Sequence, residues 1–304
     1  MSTRKRAQVT VPASSANLGP AFDCAGLAYD LRDEFSVEVV DGPPGIQVTA
    51  TGEGAGQVPL DERHLVARAL LLGMQAIAGS TGAQLGLQLH CHGRIPHGRG
   101  LGSSAAAIIG GLALARTLLE SDLDDAGLLQ LALQMESHPD NLSAALFGGF
   151  TLSWLDVNGV AQSCRLAVND QVRAIVAIPE HRTPTGQARA ALPPTVAFGD
   201  AAFNAGRAAL LGVALTGEPA LLFAATEDRL HQDARKLLYP HSLAAVHQLR
   251  SAGFAAVISG AGPTVLLLTS ADRQSEAVAA VTSGCPGWQV LTPGIAGDGV
   301  LATA

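Results

Sequence analysis

Residues 96 to 119 read PHGRGLGSSAAAIIGGLALARTLL, and this passage from a glycine-studded loop into an apolar helix limits the possible folds more than any other. Gly98, Gly100 and Gly102 alternate, and Ser103 and Ser104 follow at the helix entrance. The first turn of a helix leaves backbone N–H groups without partners, and the helix dipole places positive potential at the same point. Glycine lets main chain approach phosphate oxygens with no Cβ in the way, while a serine hydroxyl can donate to phosphate or ligate Mg²⁺. The loop therefore reads as a cradle for ATP phosphates; its plain alternative is a tight turn entering a well-packed helix. A Walker loop needs GK[ST] at the helix entrance. Here the residues are GSS, and the chain's only lysines are the distant Lys5 and Lys236. A dinucleotide loop needs G-x-G-x-x-G after a first strand, whereas this one is G-x-G-x-G and follows later strands.

The rest of the chain suits a soluble protein acting on a small molecule. Of its 304 residues 48% are hydrophobic and only 15% charged, so a packed core is affordable and disorder is disfavoured. The length predicts about two domains. A net charge of −7 without any basic run argues against nucleic acid and against a polybasic membrane anchor. The N-terminal MSTRKRAQVTVPASS lacks the apolar stretch of a signal peptide, and no later segment is a continuous membrane span, so a cytoplasmic location is expected. Cys24, Cys91, Cys164 and Cys285 form no CxxC pair and read as reduced thiols rather than disulfides or a zinc site.

Alternation predicts strands over Gln8–Pro12, Phe35–Val39 and Gln84–Cys91, with a helix over His64–Ile77 started near Asp61. Within the glycine loop's helix, Ile108, Leu112, Ala115 and Leu119 share a buried stripe. Ser121 and Asp124 read as a capping box for a helix carrying Leu128, Leu131 and Met135 that stops before Pro139, with a turn at HPDN. A strand over Ala174–Ile178 opens a second half with helices over Phe203–Leu215, Ala220–Leu230 and Ser242–Ala252. Strands over Ala255–Ser259 and Val265–Thr269 precede a last helix over Asp272–Thr282. The division into domains is placed at 1–160 and 161–304.

Three further clusters carry polar chemistry. Glu136, His138, Asp140 and Asn141 crowd six residues, enough to hold Mg²⁺ and a polar substrate, or equally an Asx turn around Pro139. Asn17 and Asp23 lie in ASSANLGPAFDCAG, facing a ligand or capping the turn. SGAGPT, residues 259–264, either closes over the phosphate site or is a tight hairpin. Arg189 and Arg235 stand alone, with a surface role as the default, and His90 and His92 read as surface strand positions rather than metal ligands.

PASSANLGPAFDCAGLAYDL, PHGRGLGSSAA, ESHPDNLSAALFGG, TGQARAALP and SGAGPT occur in the order found in the GHMP small-molecule kinases, and the chain resembles most closely the homoserine kinase branch of that family. The resemblance spans nearly the whole chain. It implies a two-domain α/β (α+β) fold, the N-terminal domain like ribosomal S5 domain 2 and the C-terminal one ferredoxin-like, with ATP between them. It implies phosphorylation of L-homoserine by ATP and Mg²⁺ to O-phospho-L-homoserine, a step towards threonine, with a homodimer as the candidate assembly. By position, Pro96, Gly98, Arg99, Gly100, Leu101, Gly102, Ser103, Ser104, Ala105 and Ala106 would bind the nucleotide, and Ser104 and Glu136 would bind Mg²⁺. Asn17, Asp23, His138 and Asp140 match positions around the ammonium and hydroxyl of the substrate, Arg189 and Arg235 those that grip its carboxylate, and Thr185 a site threonine. The match around Arg235 is the looser of the two arginines. The family commonly has glycine where this chain has Ser137.

An amino acid offers one cation and one anion, which carboxylates and an arginine fork match at both ends. Phosphoryl transfer depends mainly on alignment and charge neutralisation, so proton removal by Asp23 or Asp140 and a base-free route both stay open. Two rivals remain: a related kinase acting on mevalonate, a sugar or a cytidine-linked alcohol, and a nucleotide-binding regulator without turnover.

Overall fold

A computed structural model describes residues 3–79, 85–183 and 185–303, with the side chain of Thr185 outside the described part. The N-terminal portion is built on β1 (Arg6–Ala16), β2 (Ala25–Val40), β3 (Gly45–Gly52), α1 (Leu65–Ala78), β4 (Gly86–Gly93), α2 (Ser103–Leu118), α3 (Asp125–Ala132), α4 (Pro139–Phe147), β5 (Phe150–Leu155) and β6 (Ala161–Leu166). The C-terminal portion adds β7 (Val172–Ile178), α5 (Thr185–Ala190), α6 (Phe198–Thr216), α7 (Leu222–Ala225), α8 (Pro240–Ser251), β8 (Ala255–Ile258), β9 (Val265–Ser270), α9 (Gln274–Gly284), β10 (Gln289–Leu291) and β11 (Leu301–Thr303).

The larger sheet runs β11-β1-β2-β4-β3, and β5 pairs with the start of β2 and with β6. Among the described residues only β3 and β4 are parallel in it. Alternation shows over the first half of β1 and in β2: Ala7, Val9 and Val37 are fully buried, while their neighbours in sequence are more accessible. Helix α2 packs on this sheet and on α1, with Ile108, Leu112 and Ala115 buried as the periodicity requires. The smaller sheet is antiparallel, ordered β10-β7-β9-β8. Numbered within its own unit this is 4-1-3-2, the arrangement of a ferredoxin-like βαββαβ unit.

The expected division at 160/161 falls inside the β5–β6 hairpin, whose strands pair from Phe150↔Leu166 to Leu155↔Ala161. Both strands belong to the larger sheet, and β11 returns to it from the far C-terminus by pairing with β1. The two sheets are thus divided in sequence after Leu166, and the last strand crosses back.

Several local expectations are corrected by capping chemistry. His64, not Asp61, caps α1, its Nδ1 accepting from the Val66 N–H at 3.2 Å. Asp124 alone caps α3, accepting from the Gly127 N–H at 2.8 Å, and Ser121 lies outside that helix. Pro139 does not merely stop a helix. It opens α4 as a first-turn residue, where its missing N–H costs nothing. Instead of a helix over 220–230 there is a 3₁₀ turn and the short α7, because the Asp228 carboxylate takes the N–H groups of Leu230, His231 and Gln232 and starts a new turn. The strand expected from Gln84 starts at Gly86, Gln84 lying outside the described residues.

Candidate active site

One open cleft is lined by six sequence-distant segments. Its floor is the entrance of α2. Gly98, Gly100 and Gly102 all have left-handed backbone, with φ of 66°, 76° and 72°. A Cβ on Gly102 would run into the Ser14 hydroxyl, and one on Gly100 into the Ser259 carbonyl, so close packing as well as φ requires glycine at both. Gly102 caps α2 without any side-chain hydrogen bond, and the first recorded main-chain bond of the helix is Ala106 N–H to Gly102 O at 2.9 Å. The preceding N–H groups are left facing the cleft that Ser103, Ser104 and Ala105 line, an arrangement suited to a polyanion. Gly102→Ala is expected to cost about 2 kcal/mol in urea denaturation, from the φ and the displaced Ser14 side chain, and to raise the KM for nucleotide.

SGAGPT is a hairpin that also packs on the glycine loop. It joins β8 to β9 as a hairpin, and it packs against the glycine loop: Ser259 Oγ donates to Gly100 O and the Ser15 hydroxyl donates to Ser259 Oγ, both at 2.5 Å. Not every residue of the predicted phosphate loop faces the cleft. Leu101 and Ala106 are in the core, and Pro96 does not reach the cleft wall. Arg99 turns away, donating to Pro179 O at 2.8 Å and Glu180 O at 2.7 Å, so its side chain straps the loop to the end of β7.

The start of α4 supplies the acidic wall. Glu136 accepts from the Ser137 N–H at 3.1 Å and lies 3.2 Å from His138 Nδ1, a contact that raises the pKa of the imidazole. Ser137 itself has no positive φ, so glycine is dispensable there. Asp140 is 4% exposed, and burial pushes its carboxyl up to about 6, against the opposing effect of the Asn141 N–H that donates to it at 2.6 Å. Asn141 Oδ1 in turn accepts from Ser14 Oγ at 2.9 Å, tying α4 to the strand beneath the glycine loop.

The turn after β1 supplies the opposite wall. Asn17, Leu18 and Asp23 adopt left-handed backbone. Asn17 lines the cleft, but its amide is committed on both sides: Oδ1 accepts from the Asp23 N–H and Nδ2 donates to Gly260 O, each at 3.0 Å. Its visible work is to hold Asp23. The Asp23 carboxylate pairs with Arg189 Nη2 at 2.5 Å. Arg235, contrary to its default surface reading, is only 4% exposed. Its Nε donates to Ala188 O at 2.8 Å and its Nη1 to His231 Nδ1 at 3.2 Å, leaving other N–H groups of the fork for an anion. Both guanidiniums approach the ring of Phe22, at 5.4 Å for Arg189 and 5.3 Å for Arg235.

The side chain of Thr185 lies outside the described residues, and Thr183 lines the cleft two positions earlier. Sequence reasoning missed Phe22, Thr183 and His231, whose significance comes from partners far away in the chain. It also missed a second, more apolar pocket that shares Ser103 and Ser104 with the cleft and is walled by Phe35, Val58, Pro59 and Val66. Among the described residues no three His, Cys, Asp or Glu side chains form a metal cluster. A cation held between phosphates needs only one or two protein oxygens beside phosphate and water, and Ser104 and Glu136, both on the cleft wall, meet that requirement.

Comparison with known proteins gives the family. The family model described as GHMP kinases N terminal domain matches residues 64–149, and the one described as GHMP kinases C terminal matches residues 201–287. A homoserine kinase of Streptomyces coelicolor is 50% identical over 268 residues, covering 87% of this chain and 85% of its own. A homoserine kinase of Mycobacterium tuberculosis is 48% identical over 280 residues, covering 90% and 87%. Among solved structures, homoserine kinase from Cytophaga hutchinsonii superposes with a TM-score of 0.86 at 25% identity, over 100% of this chain and 99% of the other. Mevalonate kinase of L. major in complex with R-mevalonate shares the fold, with a TM-score of 0.67 at 16% identity over 96% and 95%.

Proposed function

We infer the reaction from the family: the chain belongs to the GHMP kinases, and it transfers the terminal phosphoryl group of ATP to the side-chain hydroxyl of L-homoserine, giving O-phospho-L-homoserine and ADP. The observation that carries this reading is the meeting, on one cleft, of an uncapped helix N-terminus with three carboxylates and two arginines. A zwitterion with a hydroxyl is the acceptor such a set of charges fits.

In the proposed arrangement the triphosphate lies across the N–H groups of residues 98–105, and the base occupies the apolar pocket on the far side of Ser103 and Ser104. Ser104 and Glu136 would hold Mg²⁺, which when bound neutralises phosphate charge. The substrate carboxylate enters the fork of Arg189 and Arg235, and its ammonium faces Asp23. Of the two aspartates, Asp140 suits proton removal better. Asp23 is engaged by Arg189, whereas the Asp140 carboxyl, raised to about 6 by burial, is ionised at neutral pH yet basic enough to accept a proton. The hydroxyl proton passes to Asp140 as the oxygen–phosphorus bond forms and the bond to the β-phosphate oxygen breaks, and ADP leaves with the bridging oxygen. His138, beside Asp140 on the same wall, donates to the acceptor oxygen before transfer. A cytoplasmic location and a homodimer belong to the same proposal; among the described helices none is long and apolar enough to cross a membrane.

Coupled ADP release in the presence of L-homoserine, mevalonate, galactose, L-serine and L-threonine tests the assignment. L-Homoserine is expected to support turnover at least a hundredfold faster than mevalonate or galactose, which lack the zwitterion. Nucleotide binding with no acceptor-dependent ADP release would leave the regulator reading instead.

A further inference from the structure

The acceptor half of the cleft is assembled from two pieces that are more than 160 residues apart, the turn carrying Asn17, Phe22 and Asp23 and the segment carrying Arg189 and Arg235. One buried side chain touches both. His231 is 1% exposed, and its Nε2 lies 2.8 Å from Gly19 O in the first piece. A carbonyl only accepts, so Nε2 carries the proton and donates to it. In the neutral ring Nδ1 is then an acceptor, and it receives the Nη1–H of Arg235 at 3.2 Å, in the second piece. The same imidazole packs on Phe22, with ring centroids 5.1 Å apart.

We propose that His231 is a positioning residue for the acceptor, orienting the Arg235 guanidinium toward the substrate carboxylate while stapling the Gly19 turn that presents Phe22 and Asp23. This rests on the reading of the cleft as an amino-acid site. Arg235 Nε is turned to Ala188 O and the Tyr239 hydroxyl also sits against the guanidinium, but neither of these ties it to the Gly19 turn. The Asp228 carboxylate, 3.8 Å from His231 Nε2, is committed to Asn204 and to the N–H groups of Leu230, His231 and Gln232. Without the imidazole, Arg235 loses the acceptor on its Nη1 side and its tie to the Gly19 turn. Arg189 stands nearby with like charge and supplies no restoring contact. The nucleotide side of the cleft is held by different bonds, those of Ser14, Ser15 and Ser259, and does not depend on His231.

Two substitutions separate the two bonds. Asparagine places its amide oxygen where Nδ1 was and can still accept from Arg235, but it is too short to reach Gly19 O. Glutamine extends to the Nε2 position and serves Gly19 O, leaving Arg235 unpartnered. His231→Gln is expected to raise the KM for L-homoserine about tenfold or more with the KM for ATP and kcat within twofold of the parent, and His231→Asn to raise it less than threefold. Independently of any substrate, nitrogen-15 NMR of the arginine side chains should show slowed rotation of the Arg235 guanidinium in the parent and in His231→Asn, and averaged, rapidly exchanging signals in His231→Gln. Equal rises in both KM values, or identical behaviour of the two variants in the NMR experiment, would overturn the proposal. Failure of the parent itself to phosphorylate L-homoserine would overturn the functional reading, and the NMR comparison would still decide the role of His231.

Discussion

Asp140→Asn is expected to lower kcat for L-homoserine about a hundredfold or more and, in the same protein, to increase resistance to urea above pH 7. Both effects follow from one buried carboxyl. General-base assistance contributes roughly 10²–10⁴ to a rate, and an amide accepts no proton at any accessible pH. The parent's kcat should therefore rise as pH increases through about 6, where Asp140 ionises, and then level off, while the variant's residual rate lacks that step. The stability change has the opposite sign. Burial raises the folded-state pKa from 3.8 to about 6, so between these values the folded chain holds a proton that the unfolded chain has released. Stability then falls as pH climbs through that window and stays lower above it. Two units correspond to about 3 kcal/mol at most, a cost asparagine never incurs. Urea melts at pH 4 and pH 8 should show the variant gaining about 1–3 kcal/mol on the parent at the higher pH and nothing at the lower. Retention of kcat within threefold from pH 5 to pH 8 would mean that the hydroxyl proton leaves by the γ-phosphate itself and that Asp140 only binds.

What the sequence made legible was whatever is enforced locally. Gly98, Gly100 and Gly102 are demanded by backbone conformation, and the last two by close contacts as well, so the loop entering α2 shows as a spacing of glycines. The stripe of Ile108, Leu112 and Ala115 declares α2 in the same way. Pro139 misled because one residue type has two uses: a proline ends a helix or opens one, and only the uncapped His138 before it and the free N–H groups after it tell which. Strands β10 and β11 have three residues each, too few for alternation to register, and their places are set by β7 and β1, far away in sequence. Arg235 shows the limit most plainly. Neither its burial nor its attachment to Ala188 and His231 leaves a trace in DARKLL, because each partner's meaning depends on the β1–β2 turn folding against it. Family resemblance named the residue, but the reason for its burial came from the structure.

The second large effect is expected at the charged end of the acceptor site. Arg189 and Asp23 satisfy each other in the cleft, so the protein holds internally the pair of charges that the proposed substrate brings. In the proposed arrangement an entering zwitterion would exchange one internal ion pair for two external ones, its carboxylate going to Arg189 and Arg235 and its ammonium to Asp23. A ligand with a single charge cannot complete that exchange. 4-Hydroxybutyrate, which is L-homoserine without the amino group, must draw Arg189 from Asp23 and leave the aspartate unpaired, and it should be a very poor acceptor. Arg235→Met removes the buried arm of the fork and is expected to raise the KM for L-homoserine roughly a hundredfold or more; Arg189→Met, at a half-exposed position, should do so by a smaller factor. Asp23→Asn carries the sharper consequence. It weakens L-homoserine by removing the ammonium's partner, yet it frees Arg189 in advance, so kcat/KM for 4-hydroxybutyrate should rise above the parent's. Steady-state kinetics with the two acceptors measures the crossover directly. A uniform loss for both in Asp23→Asn would show that Asp23 shapes the turn rather than competing for Arg189, and the exchange of ion pairs would have to be abandoned as the source of selectivity.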